Sequence, residues 1–243
     1  MDLVIDKGNT RIKYAIFKKG VIQTKATCSP TELSDLLERL AGEVSRLIFC
    51  SVTDVDDQLI FELKKCCSSC LVLSSSTPLP FYNKYESPTS LGSDRLALAA
   101  GAKYRFPKAD VLIIDLGTCV TYDFIDKESN YLGGAIGPGL QMRLKALNAF
   151  TGKLPLISAE APEDLIGKNT KQSILSGVIN GMIKELEGTI DAYKLRYPNT
   201  KVILTGGDLT FFDKKLKNGI FADEDILMNG MYFILKNHAN KNL

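Results

Sequence analysis

The chain has a single histidine, His238, in 243 residues. A catalytic triad or base built on histidine is therefore not expected. Any proton transfer falls to a carboxylate, a lysine, a tyrosine or water. His238 itself reads as a solvated residue at the end of the last helix. No apolar run approaches the roughly 18 residues that span a bilayer, so no membrane partner is expected. The net charge is only +2, and Lys and Arg alternate with Asp and Glu instead of forming a basic stripe, which argues against nucleic acid as a partner. No G-x-x-x-x-G-K-[ST] occurs, so a P-loop nucleotide site is excluded. The first residues already read as a strand with an aspartate, so no leader is expected and a cytoplasmic location is. Six scattered cysteines make no disulfide scaffold. Cys67-Ser68-Ser69-Cys70 has C-x-x-C spacing but reads as the end of a helix before a strand. That is the reverse of a thioredoxin pair, and no second pair completes a zinc site, so these read as reduced structural or surface thiols.

What is present is a globular composition, 45% hydrophobic and 24% charged, and an internal repeat. Leu3-Val4-Ile5-Asp6-Lys7-Gly8-Asn9-Thr10 and Val111-Leu112-Ile113-Ile114-Asp115-Leu116-Gly117-Thr118 share one plan. An apolar strand ends at an aspartate, a glycine follows two residues later, then a small polar residue, then a β-rich run. The repeat predicts two α/β domains, 1–109 and 110–243, with a nucleotide cleft between them. In that cleft the two aspartates, backbone N–H groups and hydroxyls would cradle a polyphosphate. The bland reading of either copy is a strand turn, since Asp-x-Gly is common there. Duplication after two apolar strands favours the phosphate reading.

The pattern predicts strands over 2–7, 11–18 and 21–28, and a helix over 30–41 opened by the Ser29-Pro30-Thr31-Glu32 capping box. A strand over 46–52, a helix over 54–67 and a strand over 71–74 follow, completing βββαβα and a further strand. Residues 77–93 have no periodicity and read as a long functional loop before a helix reaching Tyr104. The second half repeats the order. Strands fall over 111–116, 119–126 and 131–136, and a helix opens at Gly137-Pro138-Gly139 and reaches Phe150. Gly133 and Gly134 imply close backbone approach inside the third strand. A loop over 151–172, a long helix over 173–197, a strand over 201–205, a helix over 209–217, a strand near 220–222 and a helix over 226–238 complete the chain. Gly206-Gly207-Asp208, at the end of a strand, reads as a tight turn or a nucleotide contact. Asp94, beside Gly92 and Arg95, reads either as a helix cap or as a carboxylate base next to a guanidinium that grips an anion.

Taken together, Asp6-x-Gly8-Asn9-Thr10 with Lys13, Tyr85-x-x-Pro88, Leu91-Gly92-x-Asp94-Arg95, Asp115-x-Gly117-Thr118-x-x-Thr121, Gly133-Gly134-x-Ile136-x-Pro138-Gly139, Asn169-Thr170 and Gly206-Gly207-Asp208 resemble type III pantothenate kinases. The ordered set spans nearly the whole chain. The resemblance implies duplicated ribonuclease H-like domains of the actin-like and sugar-kinase superfamily, in keeping with the βββαβα repeat. It implies ATP-dependent phosphorylation of pantothenate, the first step towards coenzyme A. It further implies an ATP-binding loop of Asp6, Lys7, Gly8, Asn9, Thr10, Arg11, Ile12 and Lys13, with Thr118 a further ATP contact. Asp94 would be the proton acceptor. Tyr85, Gly92, Ser93, Asp94 and Arg95 would form the pantothenate site, with Thr170 contributing near the partner of a homodimer. Asp6 would hold Mg²⁺ and Asp115 a monovalent cation, K⁺ or NH₄⁺. Lys7 and Cys119 depart from more usual apolar and alanine residues. The rival expectations are a kinase for another small hydroxy acid and a non-catalytic accessory or regulatory protein of this fold. For the homodimer, Ile174, Val178, Ile183, Leu186 and Ile190 on the long helix are expected to supply apolar area.

Overall fold

A computed structural model describes residues 1–241. Its first half runs β1 (Asp2–Lys7), β2 (Ile12–Lys18), β3 (Val21–Cys28), α1 (Pro30–Leu40), β4 (Val44–Ser51), α2 (Asp57–Cys66), β5 (Cys67–Val72), β6 (Tyr82–Asn83) and α3 (Ser93–Arg105). The second runs β7 (Val111–Leu116), β8 (Cys119–Ile125), β9 (Asn130–Pro138), α4 (Leu140–Ala149), α5 (Thr170–Leu175), a π-helical turn (Ser176–Asn180) and α6 (Gly181–Arg196). β10 (Lys201–Thr205), α7 (Leu209–Phe212), β11 (Phe221–Ala222) and α8 (Ile226–Lys241) follow.

One sheet has the order β3-β2-β1-β4-β5, and the other contains β11-β10-β7-β8-β9. Position for position these are the same arrangement. In each, the first strand lies between an antiparallel hairpin partner and a parallel neighbour (β1 with β2 and β4, β7 with β8 and β10). The central strands carry continuous apolar runs, Leu3-Val4-Ile5 in β1 and Val111-Leu112-Ile113-Ile114 in β7, because both faces of each sheet are covered. Leu3, Ile5, Leu33, Leu37, Leu47, Phe49 and Leu63 form one core, and Leu112, Ile114, Phe124, Leu144, Leu186, Val202 and Phe212 form another.

The chain divides into two compact units that are not simple halves. The first takes residues 1–107, Ser129–Tyr131 and the C-terminal segment from Asp225, and the second takes Lys108–Glu128 and Leu132–Glu224. A boundary at 109/110 with everything after it in one domain does not capture this. The reason is side-chain size at two crossings: a Cβ on Gly230 would collide with the Ala97 carbonyl, and one on Gly101 with Ile226. Two glycines thus let α8 lie against α3, and Phe17 stacks on Tyr232 at 4.2 Å.

The α1 capping box forms as expected, with Ser29 accepting from Glu32 N and Glu32 from Ser29 N. α2 starts later than expected because Asp56 caps it, its carboxylate accepting from Leu59 N at 2.7 Å. The C-x-x-C segment does not end a helix. Cys67 and Cys70 lie on β5, paired with Val44 and Leu47 of β4. Gly134 is required by the neighbouring strand, since a Cβ there would strike the Tyr122 carbonyl. The long helix begins at Thr170 and is interrupted by the π turn, where Ser176 donates to Leu165 O and Asn180 to Ser176 Oγ. Ile174, Val178, Leu186 and Ile190 are buried within this unit's own core, so they are not free apolar area. His238 is half-buried in α8 rather than solvated at its end.

Candidate active site

In the first unit, Asp6 is the penultimate residue of β1, and its neighbours are set by register. Lys13 of β2 lies opposite on one side and Cys50 of β4 on the other. The turn after it is closed by Gly8 N donating to Arg11 O at 3.1 Å, leaving Asn9, Thr10 and Arg11 exposed at the sheet end. Ile12 turns inward and joins the core, so within the 6–13 loop it supports from beneath. The Lys7 amine donates to Asp54 O at 3.2 Å and is directed along the adjacent loop.

Asp6 is 6% exposed, and its Oδ1 is buried with no hydrogen-bond partner. Burial pushes its carboxyl up to about 6. The Asp94 charge adds to the rise, and Lys13 opposes it. An orphaned, buried carboxylate oxygen is what a hard cation would satisfy. Among the described residues no group of three or more His, Cys, Asp or Glu side chains could hold a metal alone. A Mg²⁺ at Asp6 would therefore complete its shell with phosphate oxygens and water, as this ion usually does.

Asp94 stands in the first turn of α3. The N-cap position belongs to Gly92, which has no side-chain cap bond, so neither Ser93 nor Asp94 is the helix cap. Asp94 Oδ1 accepts from Arg95 N at 2.8 Å, and a Cβ at Gly92 would occupy the space of that same oxygen. The glycine thus makes room for the carboxylate. Burial raises the Asp94 carboxyl above its ordinary value, while the N–H and the charge of Arg95 pull it back. A carboxyl raised above its ordinary value suits proton abstraction from an alcohol better than a more acidic one does. Ser93 is buried and donates to Ser51 O at 2.9 Å.

Arg95 is 5% exposed, and its guanidinium lies 5.8 Å from the centre of the Tyr85 ring. Tyr85 is held in turn. Its N–H donates to Asn83 Oδ1 at 3.0 Å, its ring packs against Tyr131, and β6 pairs with Asn130 and Tyr131 at the start of β9. Sequence reasoning missed these supports and also Cys50. β6 has only two residues, too few to show periodicity. Cys50 becomes visible only once β4 is placed beside β1.

In the second unit, Asp115 repeats the position of Asp6 on β7, opposite Thr121 of β8 and Thr205 of β10. Gly206 (φ +100°) leads the chain over it, and a Cβ there would run into Asp115 Oδ1. Gly139 abuts the carbonyls of Gly117 and Thr118, to the second of which its N–H donates at 3.1 Å. Asp208 N donates to Leu116 O at 3.0 Å. Asp115, the exposed Thr118 and the 206–208 turn are thus gathered at one sheet end. The Asp115 carboxylate is the group at this sheet end that could hold a cation preferring oxygen ligands. Cys119 is half-buried on β8. Thr170 is the exposed first residue of α5, behind the N-cap Asn169, whose Oδ1 accepts from Gln172 N at 2.9 Å. With Arg143, Leu147, Phe150, Ile174 and Val178 it lines a groove of about 890 Å³.

The family model described as type III pantothenate kinase matches residues 2–192. A type III pantothenate kinase of Flavobacterium johnsoniae is 43% identical over 234 residues, covering 95% of this chain and 96% of that protein. The Christiangramia forsetii type III pantothenate kinase is 44% identical over 239 residues, covering 97% and 98%. Among solved structures, a Campylobacter jejuni protein described as a Baf family transcriptional activator superposes with a TM-score of 0.65 at 23% identity, covering 99% of this chain and all of that one. A glucokinase from an Antarctic psychrotroph superposes with a TM-score of 0.51 at 13% identity, covering 97% and 98%. At such identities the structural likenesses show the fold alone.

Proposed function

The chain belongs to the type III pantothenate kinases, and from that membership we propose how its residues divide the work. The protein phosphorylates pantothenate with ATP in coenzyme A biosynthesis. Phosphoryl transfer passes through a loose transition state with spread negative charge, so the enzyme's task is positioning and neutralisation. Asp6, with its orphaned oxygen, holds Mg²⁺ directly or through water. Lys13 and the N–H groups of the 6–13 turn neutralise phosphate charge, and Thr118 contacts the nucleotide. The divalent cation, when bound, spreads the charge developing on the phosphate oxygens. Asp94 accepts the proton of the primary hydroxyl as the new P–O bond forms. Tyr85 and the Gly92–Arg95 turn hold pantothenate, with the Arg95 guanidinium facing its carboxylate. Asp115, beneath Gly206, is assigned a monovalent cation, K⁺ or NH₄⁺.

The observation that carries this assignment is the convergence of Asp6, Lys13, Asp94 and Arg95 within one unit, with the Asp94 charge close enough to raise the Asp6 carboxyl. We further propose a homodimer in which Thr170 serves the neighbour's pantothenate site. Thr170 lines the groove beside Phe150, which is 88% exposed, and Leu165 and Ile166 on the preceding loop are 74% and 73% exposed. An apolar surface of this kind marks an interface. The proposed location is the cytoplasm. No helix among the described residues is long and apolar enough to cross a membrane.

A coupled ADP-release assay with pantothenate and a panel of other small hydroxy acids tests the substrate. ADP release that depends on pantothenate alone is expected. Release equal with another acceptor would transfer the assignment to that compound, and no release with any acceptor would favour a non-catalytic role.

A further inference from the structure

Cys50 is fully buried at the end of β4, in register with Asp6 on β1. Its Sγ donates to Ser93 Oγ at 3.1 Å. Ser93 Oγ donates to Ser51 O, so the first residue of α3 is tied to two consecutive residues of β4. Gly92 at the N-cap offers no side chain, and within the first turn Asp94 Oδ1 accepts from Arg95 N at 2.8 Å. Asp94 is the residue next to Ser93. The second unit repeats the relation: Thr205 of β10, 4% exposed, lies in register with Asp115 as Cys50 does with Asp6. In both copies the parallel neighbour of the aspartate carries a short side chain able to donate a hydrogen bond.

We propose that Cys50 is a positioning residue for the phosphoryl transfer, its thiol fixing the Ser93 hydroxyl at the start of α3 and thereby the direction of the Asp94 carboxylate relative to Asp6. The inference rests on Asp94 as the proton acceptor. The thiol does not touch substrate and undergoes no chemistry. It acts as the donor to Ser93 Oγ from a fully buried position. Small displacements of a catalytic group are expensive, which gives a buried donor one contact away from the base leverage on turnover.

Three variants of the full chain separate positioning from packing. Cys50→Ala removes the donor, Cys50→Val removes it while keeping the volume, and Cys50→Ser keeps a donor. We expect Ala and Val to lower kcat about tenfold with KM for ATP and pantothenate within about twofold of wild type, and Ser to recover kcat to within about threefold. Melting temperatures should rank the variants differently, since Ala and Ser leave buried space that Val fills. Should Cys50→Ala lose its fold, Cys50→Val carries the comparison. Wild-type kcat in Ala or Val, a Ser variant as slow as Ala, or a kcat that simply tracks melting temperature would overturn the proposal. Asp94→Asn in the same assay keeps the two claims apart. Near-normal turnover there refutes Asp94 as proton acceptor, and with it the route by which Cys50 acts. A slow Asp94→Asn beside an unaffected Cys50→Ala refutes Cys50 alone.

Discussion

Asp6 should be a residue whose charge the fold tolerates only for the sake of its ligand, and Asp6→Asn should therefore make the protein more stable and nearly inactive. Burial lifts the Asp6 carboxyl from 3.8 to about 6, with Lys13 offsetting only part of the rise. At about 1.36 kcal/mol per pH unit, that gap amounts to roughly 3 kcal/mol. The raised value means that the folded state binds the proton more tightly than the unfolded chain. The associated stability is full below pH 3.8, is lost as the pH climbs to about 6, and is absent above. At pH 8 the wild type bears the whole penalty and the asparagine variant none. The buried amide must find partners of its own, which removes about 1–2 kcal/mol, so the net gain is about 1–2 kcal/mol. For a chain of this size that is a rise of roughly 2–8 °C in melting temperature. Thermal melts at pH 8 and pH 5 check it: at pH 5 the penalty on the wild type falls to roughly half, about the cost of the buried amide, so the advantage should nearly vanish. Mg-ATP should raise the melting temperature of the wild type far more than that of the variant. An Asp6→Asn protein that melts at or below wild type at pH 8, or an advantage unchanged at pH 5, would refute the reasoning.

Asp94→Asn should fold and bind ATP but turn over about 10²–10⁴-fold more slowly, measured by steady-state ADP release with nucleotide binding as the control. Because the carboxyls of Asp6 and Asp94 both sit above their ordinary values, kcat in the wild type should decline as the pH falls through about 6, and a flat profile down to pH 5 would contradict both roles. K⁺ should activate relative to Na⁺ at matched ionic strength with NH₄⁺ excluded, and Asp115→Ala should abolish the difference; equal activity in the two salts removes Asp115 as a cation ligand. Co-refolding an Asp94→Asn chain with a Thr170→Ala chain should restore activity through mixed dimers, and proven heterodimers without recovery would sink the shared site.

The strands, their order within each repeat and the aspartates at their ends were legible in the sequence because they depend on local patterns. Apolar runs ending at Asp6 and Asp115, the capping box at Ser29 and the helix breakers around the long loop each carry their own signal. The ordered motifs carried the kinase family for the same reason, since phosphate loops and the Gly92–Arg95 turn are built from contiguous residues. What contiguous residues could not reveal was decided by packing across long separations. Gly101 and Gly230 are unremarkable in their helices until α8 lies on α3 and joins the first unit. The apolar stripe of the long helix fits a partner or a core equally well, and the second sheet claims it. Cys50 gives no signal of its own in a strand of buried residues. Only the parallel register of β4 on β1 brings its thiol between Asp6 and the helix that carries Asp94.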